Sequence, residues 1–217
     1  DLIKKCAASK KKILCEKPMT LNYNEAESIF RFIAENKISF LEAFVFRHHK
    51  QSQYLCDLIK SGEIGQVHKV ESSFGYKVRK TDPNSRLFNK QLGGGAILDV
   101  GCYTTSFCLM IAKILLKENL LNFKLENISG SVCETGVDEF AQADLIFNED
   151  LKMSIKSSLR ENLQNDCIIY GSKGKIIIPR PWIPNQKSII EVHINDNYYK
   201  QFINSEYTAY AQQIDFF

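Results

Sequence analysis

The chain has 217 residues, of which 44% are hydrophobic and 24% are charged, the composition of an ordinary globular protein with room for one large domain or two small ones. Its 28 basic and 25 acidic residues leave a net charge of +3, so we expect no nucleic-acid partner. The seven cysteines are odd in number and include no CxxC pair, which indicates free thiols in a reducing cytoplasm and argues against a disulfide framework.

Membrane and metal-binding proteins are two further classes that the sequence disfavours. No apolar run approaches the roughly 18 residues of a membrane span, so we expect no membrane partner. No group of His, Cys and Asp residues has metal-ligand spacing, so we expect no metal site. Both ends of the chain, Asp1 and Phe217, fall inside helical patterns without a cap, and we expect the full protein to be longer, mostly before Asp1.

The first part of the chain predicts a βαβ unit. Residues 2–9 are typical of the last turns of a helix, and residues 12–16 form a short apolar strand that ends before Pro18. Thr20 is the expected N-cap of a second helix, whose apolar residues recur at helical spacing. Residues 39–46 are almost all apolar, which is typical of a strand buried on both faces of a parallel sheet. Strand, helix and strand in close succession predict the βαβ unit.

The remainder of the chain predicts a mostly antiparallel sheet with helices. Residues 51–60 predict a helix, 67–78 a long strand, 79–92 a polar loop and 94–116 a long helix opened by glycines. Strand patterns then follow at residues 124–134, 138–148, 151–159, 165–171, 175–179, 187–195 and 198–203, with the GSKGK run at 171–175 as a hairpin turn. Because strands joined by short turns pair antiparallel, we predict an α+β region that ends in a helix over 206–217.

The stretch from 93 to 103 (GGGAILDVGCY) carries the most informative chemistry. Three glycines open a helix on which Asp99 and Tyr103 lie four residues apart and share one face. Lys17 follows a strand far upstream, and Pro18 restricts it to extended geometry and permits a cis peptide bond. An acid, a phenol and an ammonium on rigid elements are the groups needed to move a proton from an alcohol.

Several motifs, taken in order, resemble those of one family. The strong blocks are residues 15–18 (CEKP), 42–49 (EAFVFRHH), 82–87 (DPNSRL) and 93–103, and the weaker ones are residues 136–140, 158–162 and 170–174. The ordered set covers nearly the whole chain and resembles the glucose–fructose oxidoreductase, inositol dehydrogenase and MocA (Gfo/Idh/MocA) family. With Tyr103 the helix motif resembles the branch of dimeric dihydrodiol dehydrogenase, glucose–fructose oxidoreductase and bacterial xylose dehydrogenases, whereas many other members carry His at that position.

This resemblance implies an α/β plus α+β fold. Residues 1–47 would be the C-terminal part of a Rossmann dinucleotide-binding domain. Residues 48–217 would be a substrate-binding domain whose open, mostly antiparallel sheet forms a homodimer. The implied cofactor is NAD or NADP and the implied substrate is a small sugar-like molecule. The family's GxGxxG fingerprint, and the residue that distinguishes NAD from NADP, do not occur among these 217 residues.

The resemblance also implies roles for the motif residues. Tyr103 would take the proton of a secondary alcohol while the carbon hydrogen leaves as hydride to NAD(P)+, and Lys17 would lower the pKa of the phenol and stabilise the alkoxide. Asp99 would orient the substrate or keep Lys17 charged. The structural alternatives are a surface lysine, a carboxylate that answers the helix dipole, and a tyrosine packed in the core.

Four other residues are expected near these groups. Glu16, Pro18 and Arg47 would approach the cofactor together with Lys17, and Arg86 would reach a substrate hydroxyl or a cofactor phosphate. A role for Glu16 in fixing its local loop, and for Arg47 in a structural pair with His48, stays open.

Three functions remain open from the sequence. The leading one is an NAD(P)-dependent dehydrogenase or reductase that acts on a secondary alcohol of a sugar, polyol or dihydrodiol. A relative that holds NAD and cleaves glycosidic bonds by transient oxidation would keep the fold and release sugar without net cofactor reduction. A non-catalytic fragment or dimerising sheet module is favoured by the missing fingerprint and disfavoured by the intact Lys17 and Tyr103.

Overall fold

The computed structural model describes residues 2–116 and 122–217. Within them the strands form two sheets, one of two strands and one of eight. Asp1, which the sequence places inside a helical pattern, lies outside the described residues.

The smaller sheet belongs to a βαβ unit, as predicted. Helix α1 (Leu2–Ala8) precedes strand β1 (Ile13–Cys15), and helix α2 (Tyr23–Glu35) leads to strand β2 (Phe40–Glu42), which pairs parallel with β1. The prediction of Thr20 as the cap of α2 is wrong, because the side chain of Asn22 accepts the backbone N–H of Glu25. The Thr20 hydroxyl donates instead to the carbonyl of Asn22.

The strand predicted over residues 39–46 is much shorter than the apolar run. Strand β2 ends at Glu42, and Val45–His48 form a 3-10 turn. Phe44, Val45 and Phe46 are all buried, because the turn directs them into the core rather than alternately to two faces of a sheet. The apolar run indicated burial and not an extended backbone, an ambiguity that short apolar segments carry.

The larger sheet is open and mostly antiparallel. Its strands are β3 (Val67–Gly75), β4 (Lys124–Val132), β5 (Asp138–Asn148), β6 (Leu151–Ser158), β7 (Cys167–Gly171), β8 (Gly174–Ile178), β9 (Lys187–Ile194) and β10 (Asn197–Asn204). They lie in the order β10-β9-β8-β7-β3-β6-β5-β4, and β3 and β6 pair in parallel. The strands predicted after residue 124 are confirmed to within a few residues, and the GSKGK run turns the β7–β8 hairpin.

Helices cover one face of this sheet. The covering helices are α3 (Lys50–Ser61) and α4 (Cys102–Leu116). A further helix, α5 (Ala209–Phe216), packs against the 3-10 turn after β2. Phe107 and Ile111 of α4 belong to the same buried core as Val70, Met153 and Ile169 of the sheet. The described helices leave the other face of the sheet open.

The helix predicted over residues 94–116 forms in pieces. Arg86–Phe88 and Lys90–Leu92 are 3-10 turns, Ile97–Gly101 is a π-helical turn, and α4 follows. Gly93 and Gly95 have φ angles of 72° and 117°, in the region that glycine adopts without strain. The Asp138 carboxylate accepts the N–H of Ile97 at 2.7 Å and so caps the π-helical turn.

The helical stretch Lys90–Leu116 is long and apolar enough to cross a membrane. The prediction that no apolar run approaches the length of a membrane span is therefore wrong, as far as length and composition are concerned. In the fold, 67% of the most apolar window is buried, and Phe107, Cys108 and Ile111 lie in the core. A core helix of a folded domain has this pattern of burial.

Candidate active site

Lys17 lies at the end of β1, where a cis peptide bond joins it to Pro18. Its side chain is mostly buried, and its Nζ donates a hydrogen bond of 2.7 Å to the main-chain carbonyl of Asp99. The turn after Lys17 is fixed by Glu42, whose Oε1 accepts the N–H of Met19 at 2.9 Å. Lys17 thus connects the βαβ unit to the segment that carries Asp99 and Tyr103.

Asp99 lies in the π-helical turn, and both oxygens of its carboxylate have partners. Tyr76 donates to Oδ2 at 2.6 Å, Arg86 Nη2 donates to Oδ1 at 2.9 Å, and Lys17 Nζ lies 4.0 Å from Oδ1. Because the Asp99 side chain is 8% exposed, these partners are needed to hold a charged carboxylate there. The carboxylate that caps the π-helical turn belongs to Asp138. Interaction with the helix dipole is therefore not the main role of Asp99, whose carboxylate binds Tyr76 and Arg86.

Tyr103 occupies the first turn of α4 and is nearly buried. Its ring is edge-on to Phe44 and Phe74, with centroids 5.6 Å apart in both pairs, and Lys17 Nζ lies 4.6 Å from the ring centroid. Burial raises the pKa of the phenol above its ordinary value, and the nearby acidic groups, including Glu16 and Asp99, raise it further.

The pKa of Tyr103 is raised, whereas the sequence led us to expect that Lys17 would lower it. The Lys17 ammonium contacts the face of the Tyr103 ring and donates to the Asp99 carbonyl, so its charge forms a cation–π contact with the ring. Burial therefore decides the direction of the pKa shift. The phenol is protonated at neutral pH and can donate that proton to a ligand.

Tyr76 is a site residue that sequence reasoning missed. The prediction placed it inside a strand over residues 67–78, but β3 ends at Gly75. The Tyr76 ring packs against a small second core that contains Phe88 and Leu159, and its hydroxyl reaches Asp99. An aromatic residue directly after a glycine, near the end of a strand pattern, was the available signal.

Arg86 reaches the site from the loop before α4. Ser85 caps its 3-10 turn by accepting the N–H of Leu87. The Arg86 side chain is 61% exposed, so the guanidinium binds Asp99 through Nη2 and presents its remaining N–H groups outward. A position at the rim of the cluster suits contact with a ligand.

The structure does not bring Arg47 or Glu16 into direct contact with the cluster. Arg47 lies in the 3-10 turn after β2 and binds the Ser106 hydroxyl on α4, 2.8 Å from Nη2. His48 stacks on Phe216 with ring centroids 4.1 Å apart, which agrees with a structural role for the two neighbours. Glu16 is exposed at the end of β1 and influences Tyr103 through its charge, while Glu42 fixes the turn that Glu16 was expected to fix.

A clamp centred on Arg160 holds the loop that carries the site. Arg160 pairs with Glu139, donates to the Thr81 hydroxyl at 2.6 Å, and lies with its guanidinium carbon 5.5 Å from the ring centroid of Phe88. Because these contacts tie residues on both sides of the loop to the sheet, they restrict the positions of Tyr76 and Arg86.

The fold and this cluster define a class of protein: a βαβ unit followed by an open-sheet domain, with a lysine, a carboxylate and a phenol where the two meet. Residues 52–177 match the family model described as the GFO/IDH/MocA C-terminal domain. The chain belongs to the Gfo/Idh/MocA family.

The chain is similar to several named relatives. It is 30% identical over 185 residues to trans-1,2-dihydrobenzene-1,2-diol dehydrogenase of Xenopus tropicalis, an alignment that covers 85% of this chain and 53% of that protein. It is 33% identical over 94 residues to D-xylose 1-dehydrogenase (NADP(+)) 2 of Haloferax volcanii, which covers 43% of this chain and 28% of that protein. The chain spans about half the length of the dihydrodiol dehydrogenases that it matches.

Solved structures share the fold over nearly the whole chain. A 3-ketoreductase from Actinomadura kijaniata, in complex with NADP and TDP-benzene, superposes with a TM-score of 0.80 at 22% identity and covers 99% of this chain and 64% of its own. An aldose-aldose oxidoreductase from Caulobacter crescentus, complexed with glycerol, gives a TM-score of 0.83 at 20% identity and covers 99% of this chain and 63% of its own.

Proposed function

We propose that the protein is an NAD(P)-dependent oxidoreductase that transfers hydride between a nicotinamide cofactor and a secondary alcohol of a sugar, polyol or dihydrodiol. The observation that carries this proposal is the placement of the Lys17 ammonium, 2.7 Å from the Asp99 carbonyl and 4.6 Å from the centroid of the Tyr103 ring. The names of the relatives support it, since they act on diols and sugars and one is named for NADP(+).

Tyr103 would serve as the proton-transfer residue, assisted by Lys17. In carbonyl reduction the neutral phenol gives its proton to the oxygen that becomes the alcohol, and in oxidation the same oxygen takes the proton back. Lys17 stabilises negative charge on the substrate oxygen by electrostatic attraction. The raised pKa of Tyr103 keeps the phenol protonated at neutral pH, so the group can donate its proton when a carbonyl is reduced.

Asp99 and Arg86 would position the substrate at this centre. Arg86 offers outward N–H groups that can donate to a substrate hydroxyl or carbonyl, and Asp99 anchors the guanidinium at 2.9 Å. Asp99 also lies 4.0 Å from the Lys17 ammonium, so the two opposite charges attract each other across the site.

The residues at the end of β1 fit a nicotinamide nucleotide. Ligands of parallel α/β units bind beyond the carboxyl ends of the strands. Glu16, Lys17 and Pro18 lie directly after β1, at such an end. An ammonium and a free carboxylate can bind the hydroxyls and the carboxamide of the nucleotide. When bound, the nicotinamide supplies the hydride acceptor or donor. We assign residues 1–47 to the cofactor domain and residues 48–217 to the substrate domain on this basis.

The open face of the large sheet would form a homodimer in a reducing cytoplasm. Phe202 and Tyr198 are exposed on β10, and Lys200 pairs with Glu191 at 2.9 Å beside them. Such a mixture of apolar side chains and neutralised charges suits burial against a second copy. All seven cysteines are free thiols, in keeping with a reducing compartment, and the burial of α4 in the core favours a protein without a membrane partner.

The test is a substrate screen of the longest form of the protein that its gene encodes. Sugars, polyols and dihydrodiols, and the matching carbonyl compounds, are each supplied with NAD+, NADP+ or the reduced cofactors, and absorbance of the reduced nicotinamide is followed. We expect turnover with one of these substrates and its loss in Lys17→Met. Release of sugar without net cofactor reduction would support the glycosidase alternative, and no turnover together with no cofactor binding by calorimetry would support a non-catalytic module.

A further inference from the structure

Two phenols meet at the candidate site, and the structure gives them different tasks. Tyr103 lies under the Lys17 ammonium, whereas the hydroxyl of Tyr76 donates to Asp99 Oδ2 at 2.6 Å. Burial, and then the hydrogen bond to Asp99 and its charge, raise the pKa of Tyr76 above the ordinary value. The hydroxyl of Tyr76 is therefore engaged as a hydrogen-bond donor to Asp99.

The arrangement of Asp99 depends on having both of its oxygens occupied. Arg86 holds Oδ1, Tyr76 holds Oδ2, and Lys17 is left to donate to the main-chain carbonyl of the same residue. Lys17 Nζ is already 4.0 Å from Oδ1. A buried carboxylate oxygen without a donor is unfavourable, so an Asp99 that lost the Tyr76 hydroxyl would attract the nearest ammonium.

We propose that Tyr76 is a positioning residue, whose hydroxyl holds the Asp99 carboxylate so that Lys17 stays on the Asp99 carbonyl and over the Tyr103 ring. Tyr76 acts through Asp99 and Lys17. The ring of Tyr76 packs against the small core of Phe88 and Leu159, so removal of the hydroxyl alone leaves its packing in place. The expected effect on kcat rests on the proposed function, whereas the expected displacement of Lys17 does not.

The kinetic test compares Tyr76→Phe with a matched control in the cofactor-loaded, longest form of the protein. Tyr170 makes the same kind of bond, donating to Glu71 Oε2 at 2.6 Å on the open face of the sheet. We expect Tyr76→Phe to lower kcat about tenfold while the KM of the substrate changes less than threefold, because the substrate is bound but the ammonium is displaced. Tyr170→Phe is expected to leave both within twofold. Equal effects of the two substitutions would overturn the proposal.

A second readout needs no activity. Protons next to Lys17 Nζ lie over the face of the Tyr103 ring and should show upfield ring-current shifts by NMR, with the signal assigned by its absence in Lys17→Arg. We expect Tyr76→Phe to remove this upfield shift and Tyr170→Phe to keep it. If the shift persists in Tyr76→Phe, Tyr76 does not position Lys17. If the wild type shows the shift but turns over no substrate, the proposed function fails while the role of Tyr76 is still decided.

Discussion

Burial dominates the chemistry of Tyr103. Removing the phenol from water penalises its charged form, and the negative charges of Glu16 and Asp99 act in the same direction. Lys17 contacts the ring rather than competing with these effects at the oxygen. The neutral phenol is therefore the stable form of Tyr103 at neutral pH, and it carries the proton that a reduction would transfer.

This protonation state leads to a pH dependence of opposite sign in the two directions of reaction. Because the neutral phenol is the donor, we expect the rate of carbonyl reduction to be constant through neutral pH and to fall only as pH rises through the raised pKa of Tyr103, above the ordinary value of about 10. Alcohol oxidation, which needs the phenolate, should accelerate as pH rises. The measurement is kcat/KM against pH in each direction, and a reduction rate that declines well below pH 10 contradicts this account.

The π-helical turn Ile97–Gly101 is the element that sets the geometry of the site. It places the Asp99 carbonyl toward Lys17 and its carboxylate toward Tyr76 and Arg86. π-helical turns recur at functional sites because they displace side chains and backbone groups from the regular helical pattern. Here the turn is held by glycines before it and by the Asp138 cap.

Gly95 is required in this element for two reasons that can be separated. Its φ of 117° strains any other residue, and a Cβ there would clash with the Asp138 carboxylate. We expect Gly95→Ala to lower the free energy of unfolding by about 3 kcal/mol, and the control Gly136→Ala, which has φ of 79° and nothing within 4 Å of its added Cβ, by about 1 kcal/mol. Denaturant unfolding measures both. Equal costs would mean that the contact with Asp138 is unimportant.

Elements with a local pattern were predictable from the sequence, and those set by tertiary contacts were not. Alternation and turn residues located β4 to β10, and the parallel pairing of β1 with β2 followed from the βαβ pattern. The apolar run over residues 39–46 misled, because burial of Phe44 and Phe46 in an aromatic cluster does not require a strand. The π-helical turn depends on Asp138, which lies 41 residues beyond Ile97 in the chain.

The site was predictable in its members more than in its geometry. Lys17, Asp99 and Tyr103 were named from the motifs, and they do meet. Tyr76 was hidden inside a strand pattern, and the direction of the Tyr103 pKa shift depended on burial, which spacing along the chain does not reveal. The choice between the side chain and the carbonyl of Asp99 as the Lys17 acceptor was equally beyond the sequence.

At the scale of the whole molecule, the large sheet has one face covered by helices and one face that none of the described helices covers. Ile176, Ile190 and Val192 point into the core, so their neighbours along the strands face outward. The pairing of Glu191 with both Lys200 and Ile177 places these side chains on the open face. Ion pairs neutralise several of its charges, including that between Lys152 and Asp144 at 2.7 Å.

From the composition of this open face we predict that the protein is a dimer. We expect the double variant Ile177→Lys, Phe202→Lys to shift a dimer to a monomer, because each subunit would add unpaired charge to an apolar part of the contact. Tyr23→Lys, at an exposed aromatic residue of α2 far from this face, should leave the dimer intact. Sedimentation velocity distinguishes the outcomes. A wild type that is monomeric, or a double variant that stays dimeric, contradicts assembly through the open face.

The central claim is that Tyr103, held under the Lys17 ammonium, transfers the proton in a nicotinamide-dependent reaction. The most direct measurement is the kcat of Tyr103→Phe, with the cofactor dissociation constant determined by calorimetry on the same preparation. We predict a loss of about 10²–10⁴-fold in kcat with cofactor affinity unchanged within threefold, because the substitution removes the transferred proton and little else. A kcat within tenfold of the wild type, with the cofactor bound, would show that another group moves the proton.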